Sequence, residues 1–113
     1  MVYFINERDA PSVEIQPKVT LESWRIIETA TGERYIVALL PEGTARVTTT
    51  VVHIDPRTRL ATTSSGRIYE LLNAPEHSPL ICDMLNLNAG RLGLGATIDV
   101  SGAIWASLKS LEQ

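Results

Sequence analysis

The sequence predicts an α+β fold: a curled antiparallel β-meander of about five strands, with an N-terminal extended arm and two C-terminal helices packed on one face. Between residues 22 and 72, short apolar segments alternate with turn sequences that contain Gly or Pro, which is typical of antiparallel strands. After Leu72, apolar residues recur at intervals of three and four, which indicates helices. Before residue 22, Pro17 interrupts an alternating pattern, which favours an arm or an edge strand.

Length and composition indicate one ordinary globular domain. The 113 residues suffice for a single core, and we divide them into an arm (1–21), a meander (22–72) and a helical part (73–113). The net charge of -3 argues against nucleic-acid and anionic-lipid partners. The sequence contains no signal-peptide pattern, no apolar run of about 20 residues and a single cysteine. We therefore expect a cytoplasmic protein that does not bind membranes.

The meander begins with a hairpin that turns at Thr31-Gly32. Counting pairs outward from a two-residue turn places five apolar residues on one face: Trp24, Ile26, Tyr35, Val37 and Leu39. Residues 41–44 form the next turn and residues 45–54 the next strand. Pro56 favours a turn at residues 55–58, and two last strands are joined around Ser65-Gly66.

The helical part begins with a capping signal. Ser78 offers an N-cap hydroxyl and Pro79 suits the first helical position, while residues 88–90 end this helix. Residues 90–96, GRLGLGA, predict a flexible connection, because a dinucleotide-binding motif would have to follow a strand and begin a helix. Asp99 or Ser101 caps the last helix.

Parts of the meander resemble a family of short bacterial proteins. The similar segments include Trp24 to Glu28, Gly32 to Tyr35, and Ser65 to Leu71. The family consists of small uncharacterised open reading frames that are commonly met near phages and other mobile elements. The resemblance implies a β-meander over about the middle half of the chain, and it implies no activity.

Residues 62–67, TTSSGR, raise the question of a phosphate-binding loop. Such a loop needs several converging backbone N–H groups, usually at the start of a helix. Here only Gly66 is a glycine, and the following residues predict a strand. We therefore interpret the segment as a hairpin turn.

A polar face of the meander is a candidate partner surface. The predicted pairing places five residues together: Arg46, Thr48, Thr50, Arg59 and Thr63. Arginine suits carboxylate and phosphate partners. The alternative is an ordinary solvated sheet face, since threonine favours strands and charges discourage edge-to-edge aggregation.

The residues that could bind a metal ion or catalyse a reaction are few. His53, His77 and Cys82 lack the paired spacing of a structural zinc site, so we predict no metal. No nucleophile motif surrounds Cys82, and we assign no catalytic residue and no cofactor.

The leading functional hypothesis is a small non-enzymatic protein-interaction or regulatory module of mobile-element type. The second is a small-molecule binder with a pocket between sheet and helices, to which His53, Thr62, Arg67 and Tyr69 contribute from one predicted face. A small enzyme in the same pocket ranks last. Apolar residues on both faces of the first hairpin favour a homodimer, formed through a sheet face or an exchanged arm at residues 13–21. The alternative is a monomer in which loops cover the apolar excess.

Overall fold

The computed structural model describes residues 6–7, 13–90, 93 and 96–111, with the backbone alone at 6–7, 88–90 and 111. These residues form nine strands and two helices, in the order β1 (Asn6–Glu7), β2 (Lys18–Leu21), β3 (Ser23–Thr29), β4 (Arg34–Leu39), β5 (Thr44–Val47), β6 (Val51–Ile54), β7 (Leu60–Thr63), β8 (Ile68–Leu71), α1 (Pro79–Gly90), β9 (Thr97–Asp99) and α2 (Ser101–Leu111). The predicted α+β class is confirmed, and both helices belong to the C-terminal part.

The strands form two sheets rather than one meander. The five-stranded sheet has the order β1-β5-β4-β3-β9, and the four-stranded sheet has the order β2-β8-β7-β6. β1 pairs with β5 and β2 with β8 in parallel, whereas the other neighbouring strands are antiparallel. Between residues 22 and 72 the chain forms six strands, and the predicted single sheet of about five is corrected to this pair of sheets.

Three hairpins share one loop geometry, which confirms the three predicted glycine turns. Each loop has a bond from the N–H of its first residue to the C=O four positions on, and a second from the glycine N–H back to that first residue: Thr29, Leu40 and Thr63 are the first residues. The glycines at positions 32, 43 and 66 have φ values of 88°, 88° and 91°, in the left-handed region that glycine adopts without strain. Each is a three-residue loop that ends in a glycine bulge.

The loop length corrects the predicted register of the first hairpin. A two-residue turn would pair Trp24 with Leu39, but the three-residue loop pairs Trp24 with Ala38 and Ile26 with Ile36. Because side chains alternate, this shift of one residue moves Tyr35 and its face-mates to the other side of the sheet. The predicted grouping of Tyr35, Val37 and Leu39 with Trp24 is therefore wrong.

The predicted strand at residues 45–54 divides where the chain passes between the sheets. Its first part, β5, pairs with β4, and its second part, β6, pairs with β7. At the crossing, Thr48 donates its N–H to the C=O of Ile36, while its hydroxyl accepts the N–H of Ile36 at 3.0 Å. The threonine side chain replaces a strand partner, so β4 remains hydrogen-bonded although β5 has ended.

The core has two parts, because the helices cover opposite faces of the five-stranded sheet. The main core lies between the two sheets and α2, and its fully buried members include Leu21, Trp24, Ile26, Ile36 and Leu71. The smaller core lies between the other face of the five-stranded sheet and α1, and it contains Ile27, Val37 and Leu85. The prediction that both helices pack on one face is wrong, since Ile26 and Ile27 point in opposite directions along β3.

The N-terminal segment is fastened to both sheets through Gln16. The Nε of Arg67 donates to the backbone C=O of Gln16 at 2.8 Å, and Arg46 donates to the Gln16 side chain at 3.1 Å. Strand β2 follows at the edge of the four-stranded sheet, as the position of Pro17 predicted. Residues 1–5 and 8–12 of the predicted arm lie outside the described residues.

The C-terminal part confirms both helices and adds a strand. Helix α1 begins at Pro79, where the C=O of Ser78 accepts the N–H of Cys82. No sequence signal indicated β9, whose three residues are exposed at the edge of the five-stranded sheet. Most of the predicted connection at 90–96 lies outside the described residues. No helix in the described part of the protein is long and apolar enough to span a membrane.

Candidate functional site

A groove of about 630 Å³ lies between strand β6 and helix α2. Residues 51–54 line one side of it, and the helix contributes Ala103, Ile104, Ser107 and Leu108 to the other. One end contains Glu28 and Arg34, and Pro56 also belongs to the lining. This volume falls within the range of about 300–1,000 Å³ that is typical of ligand sites.

The β6 side of the groove is the open edge of the four-stranded sheet. Four consecutive residues line it, so the groove follows the backbone edge of the strand rather than one of its faces. Among the described residues β7 is the one strand paired with β6. Asp55 donates its N–H to the C=O of Leu60, and alternation along an antiparallel strand therefore directs the N–H and C=O of Ile54 away from β7.

A bulge shapes the middle of this edge. The register of β6 against β7 shifts between Val51 and His53, so that two residues oppose one. Val52 is 67% exposed although it is apolar, and His53 is exposed beside it. The bulge therefore presents an isopropyl group and an imidazole at the rim of the groove.

The α2 side remains open because two of its residues are small. Ile104 and Leu108 reach into the main core and form the apolar floor. Ala103 and Ser107, each one position earlier, lie on the adjacent side of the helix, and both are exposed. A larger side chain at either position would narrow the groove.

The start of α2 is fixed to β3 by Ser101, whose side chain is completely buried. Its hydroxyl accepts the N–H of Ile26 at 2.7 Å and lies 3.3 Å from the C=O of the same residue. The adjacent N–H of Val100 donates to this C=O at 2.9 Å. The helix thus takes over hydrogen bonds that strand β9 provides further along β3.

A second attachment of α2 is the ion pair of Arg25 and Asp99. Arg25 donates two hydrogen bonds of 2.8 Å to the Asp99 carboxylate and a third, of 2.7 Å, to the C=O of Glu76. Partial burial disfavours the charged form of Asp99, but the bonds from Arg25 and from the N–H of Ser101 outweigh it and lower its pKa. The bond to Asp99 in turn raises the pKa of Arg25.

Glu76 and Cys82 extend this polar cluster, which lies apart from the groove. Glu76 accepts hydrogen bonds from the Ser23 hydroxyl at 2.7 Å and from the Ser78 N–H at 3.2 Å, and these lower its pKa. The Cys82 thiol donates to the C=O of Glu76, and burial raises its pKa. A protonated, hydrogen-bonded thiol is a poor nucleophile, so we assign no chemistry to Cys82. The hydrogen bonds to Glu76 hold loop 73–78 in place.

The second arginine–carboxylate pair stands at the end of the groove. Glu28 and Arg34 face each other across β3 and β4, with 3.7 Å between the Arg34 Nε and the Glu28 carboxylate. The Arg34 side chain is 48% exposed. Strand β4 begins at Arg34, pairs with β5 and also contacts β6, so Arg34 lies near the start of β6.

The structure separates the four residues predicted to bind a ligand. Arg67 and Tyr69 point into the protein and are buried, whereas His53 and Thr62 are paired on the outer face of the four-stranded sheet. The predicted common face is wrong, because the loop at residues 64–66 has three residues and pairs Thr62 with Ile68, whereas the predicted two-residue turn would pair it with Tyr69. His53 is the one member of the set that lines the groove.

The five residues predicted as a partner surface are also dispersed. Thr48 and Thr63 are buried and bond to the backbone, the latter through the C=O of Arg67. Arg46 contacts Gln16, and the C=O of Thr50 accepts the N–H of Ser64. Arg59 lies with its guanidinium carbon 4.5 Å from the ring centre of Trp105. The set belongs to two sheets and forms no single surface.

Two further observations concern chemistry. Among the described residues no group of three or more His, Cys, Asp or Glu side chains could hold a metal ion. The TTSSGR segment forms the third hairpin loop, with Gly66 donating to the C=O of Thr63, as its interpretation as a turn predicted.

Comparison with protein-family models, curated proteins and solved structures finds no match to this protein.

Sequence reasoning missed the groove, although one signal was present. Ala103 and Ser107 are small residues spaced four apart, next to the apolar pair Ile104 and Leu108. This pattern indicates a helix face that is half core and half open. The opposing edge carries no comparable signal, because the division of residues 45–54 into two strands depends on tertiary structure.

Proposed function

We propose that the protein is a non-enzymatic interaction module that binds an extended peptide segment of a partner protein in the groove between β6 and α2. The observation that carries the proposal is the lining of the groove by four consecutive residues of an edge strand, opposite an apolar helix face. An added peptide strand supplies the backbone partners that such an edge lacks, and its side chains fill the space against the helix.

The dimensions of the groove support a short peptide. Strand β6 has four residues, and at about 3.3 Å per residue this edge accommodates four or five residues of an extended peptide. The outward N–H and C=O of Ile54 provide one donor and one acceptor for the peptide backbone. Apolar peptide side chains on the helix side contact Ile104 and Leu108, and the others point to solvent.

The chemistry of the lining favours binding over catalysis. His53 and the Glu28–Arg34 pair are its titratable groups among the described residues, and Cys82 lies elsewhere. No lining residue is arranged as a nucleophile with an adjacent base. Of the residues predicted to line a ligand pocket, Tyr69 belongs to the main core and His53 lines the groove.

A small molecule is the second candidate occupant, because the volume of about 630 Å³ would also suit one. The two candidates differ in whether the edge of β6 is used. A peptide strand added to β6 needs the N–H groups of the peptide backbone in order to bind. A small molecule held by apolar contacts does not form such a ladder.

The predicted homodimer and the resemblance to mobile-element proteins stay predictions. Peptide binding requires neither of them. Sedimentation equilibrium on the purified protein tests the dimer independently of any peptide.

The test is a selection from a random octapeptide library, displayed both as C-terminal segments and as internal segments. Selected peptides are then measured by fluorescence anisotropy against the wild type, Ala103→Gln and Ala106→Gln. Glutamine is a good helix former, and Ala106 is exposed on the same helix outside the groove lining. We expect Ala103→Gln to weaken binding about tenfold, because it places an amide against the apolar floor, and Ala106→Gln to leave it unchanged.

Backbone methylation of the peptide provides the second readout. In a strand added to β6, every other N–H points to the protein. Methylating each peptide nitrogen in turn should therefore weaken binding at alternate positions. Equal affinities of Ala103→Gln and Ala106→Gln for the peptide would contradict the proposal. A methylation series in which the losses do not alternate would contradict it as well.

A further inference from the structure

The guanidinium of Arg34 lies at the end of the groove, and the backbone of an internal peptide segment has no charged group to pair with it. Arg34 lines the groove where β6 begins, and its closest approach to the Glu28 carboxylate is 3.7 Å, through Nε. Among the described residues, the two terminal nitrogens of this guanidinium make no hydrogen bond. A guanidinium in this state can bind a carboxylate through two parallel hydrogen bonds.

The position of Arg34 selects among possible carboxylates. Arg34 begins β4, which contacts β6, so it stands at the end of a strand added along the open edge of β6 rather than beside one face of that strand. Side chains of an added strand point to the two faces, whereas the terminal carboxylate continues the line of the strand. The group that meets Arg34 is therefore the carboxylate at the end of the peptide backbone.

The direction of the peptide follows from the same geometry. β6 runs from Val51, at the Arg34 end, to Ile54. A strand that ends at Arg34 must run antiparallel to β6, which is also the direction with the stronger ladder. Its last residues then lie beside Val51 and Val52, where the groove floor is apolar.

We infer that the partner segment is a free C-terminus, added antiparallel to β6, with its terminal carboxylate bound by Arg34. This inference rests on the proposed peptide-binding function of the groove. Glu28 acts as the competing acceptor: it holds Arg34 in position when the groove is empty, and it limits the affinity for the carboxylate.

The test compares each selected octapeptide in two forms, with a free C-terminal carboxylate and with a C-terminal amide. Both forms are titrated by fluorescence anisotropy against the wild type, Arg34→Gln, Glu28→Gln and Arg57→Gln. Arg57→Gln removes the same charge from the exposed β6–β7 loop, outside the groove, and is the matched control. For the wild type we expect the acid to bind about fivefold more tightly than the amide, as for a partly exposed ion pair.

The variants should change this ratio in opposite directions. Arg34→Gln should reduce it to about one, while Glu28→Gln should increase it, because the competing acceptor is gone. Arg57→Gln should leave it at the wild-type value. Equal binding of acid and amide by the wild type, or a ratio that Arg34→Gln does not change, would overturn the inference.

The proposed function has a separate failure. If both peptide forms bind equally and Ala103→Gln still weakens them, the groove binds peptides but not through a C-terminus. If no peptide shows binding that depends on Ala103, the peptide-binding function itself is refuted.

Discussion

The Arg25–Asp99 pair and the Arg34–Glu28 pair both involve strand β3, but they lie on opposite faces of the five-stranded sheet. In the first pair, two hydrogen bonds of 2.8 Å join the guanidinium to the carboxylate, and a backbone C=O takes a third. In the second, the closest approach is 3.7 Å, and the Arg34 side chain is about half exposed. The same two chemical groups thus form a bidentate, partly buried contact in one place and a longer, half-exposed contact in the other.

The difference shows which pair stabilises the fold and which is able to bind something else. A bidentate, partly buried pair is worth far more than an exposed pair, for which about 0–1 kcal/mol is usual. Arg25 joins β3, loop 73–78 and the start of α2, so its bonds fix one wall of the groove. For Arg34 we expect a small contribution to stability and donors that a ligand can reach.

The largest effect should come from Arg25→Gln. The substitution removes three short hydrogen bonds and leaves the Asp99 carboxylate partly buried without its counter-charge. We expect the free energy of unfolding to fall by about 2–3 kcal/mol, measured by urea denaturation at pH 7. Arg25→Lys should recover only part of this loss, since an ammonium cannot make the bidentate contact.

A double-mutant cycle with Asp99→Asn separates the pair from other effects. If the two single substitutions act through the same contact, the double variant should lose much less than their sum. Strictly additive losses would show that Arg25 acts through Glu76 alone and would remove the distinction between the two pairs.

The next largest effect is expected for Ser101→Ala. The variant removes the hydroxyl that accepts the N–H of Ile26, and it does so at a fully buried position. A buried donor without a partner costs about 2 kcal/mol, which the same urea titration measures. Ser110→Ala, at an exposed position of the same helix, is the control and should change stability by less than about 0.5 kcal/mol. A loss as small as that of the control would show that the Ser101 hydroxyl contributes little to the attachment of α2 to β3.

The fold class could be predicted from the sequence because its signals are local. Glycine at the last position of each three-residue loop is required by a positive φ, and the capping residues Ser78 and Pro79 mark the start of α1. These signals depend on the residues themselves and not on what they pack against. Each of them was therefore visible without the structure.

The division into two sheets and the candidate site could not be predicted, because they depend on contacts distant in sequence. The side chain of Thr48 ends β5 by bonding to Ile36, twelve residues earlier, and nothing in three successive threonines indicates this. The first hairpin shows a second cause of error. A turn one residue longer than expected inverted one strand, and the predicted ligand and partner sets depended on such counting.

Lowering the pH should reduce the stability that the Arg25–Asp99 pair and Glu76 provide at neutral pH. Hydrogen bonds hold the pKa of Asp99 and of Glu76 below their ordinary values, so both groups bind fewer protons in the folded than in the unfolded protein. Their contribution to stability is complete above the unfolded pKa values, about 4, and is lost as the pH falls through the lower folded values. Urea midpoints between pH 7 and pH 3 should therefore decrease at the acid end, and they should decrease less in Asp99→Asn. An unchanged acid slope in that variant would contradict the assignment.

The smallest effect on stability is expected for Arg34→Gln. A small effect is required if the Arg34–Glu28 pair, unlike the Arg25–Asp99 pair, does not stabilise the fold. The contact with Glu28 is long and half exposed, so we expect the free energy of unfolding to change by less than about 0.5 kcal/mol in the same urea titration. Salt should change it little, because an exposed pair is already screened. If Arg34→Gln instead destabilised the protein as strongly as Arg25→Gln, Arg34 would be a structural residue. A side chain that the fold needs in one position is poorly suited to release Glu28 for a ligand, so that result would also remove the physical basis for carboxylate binding at the end of the groove.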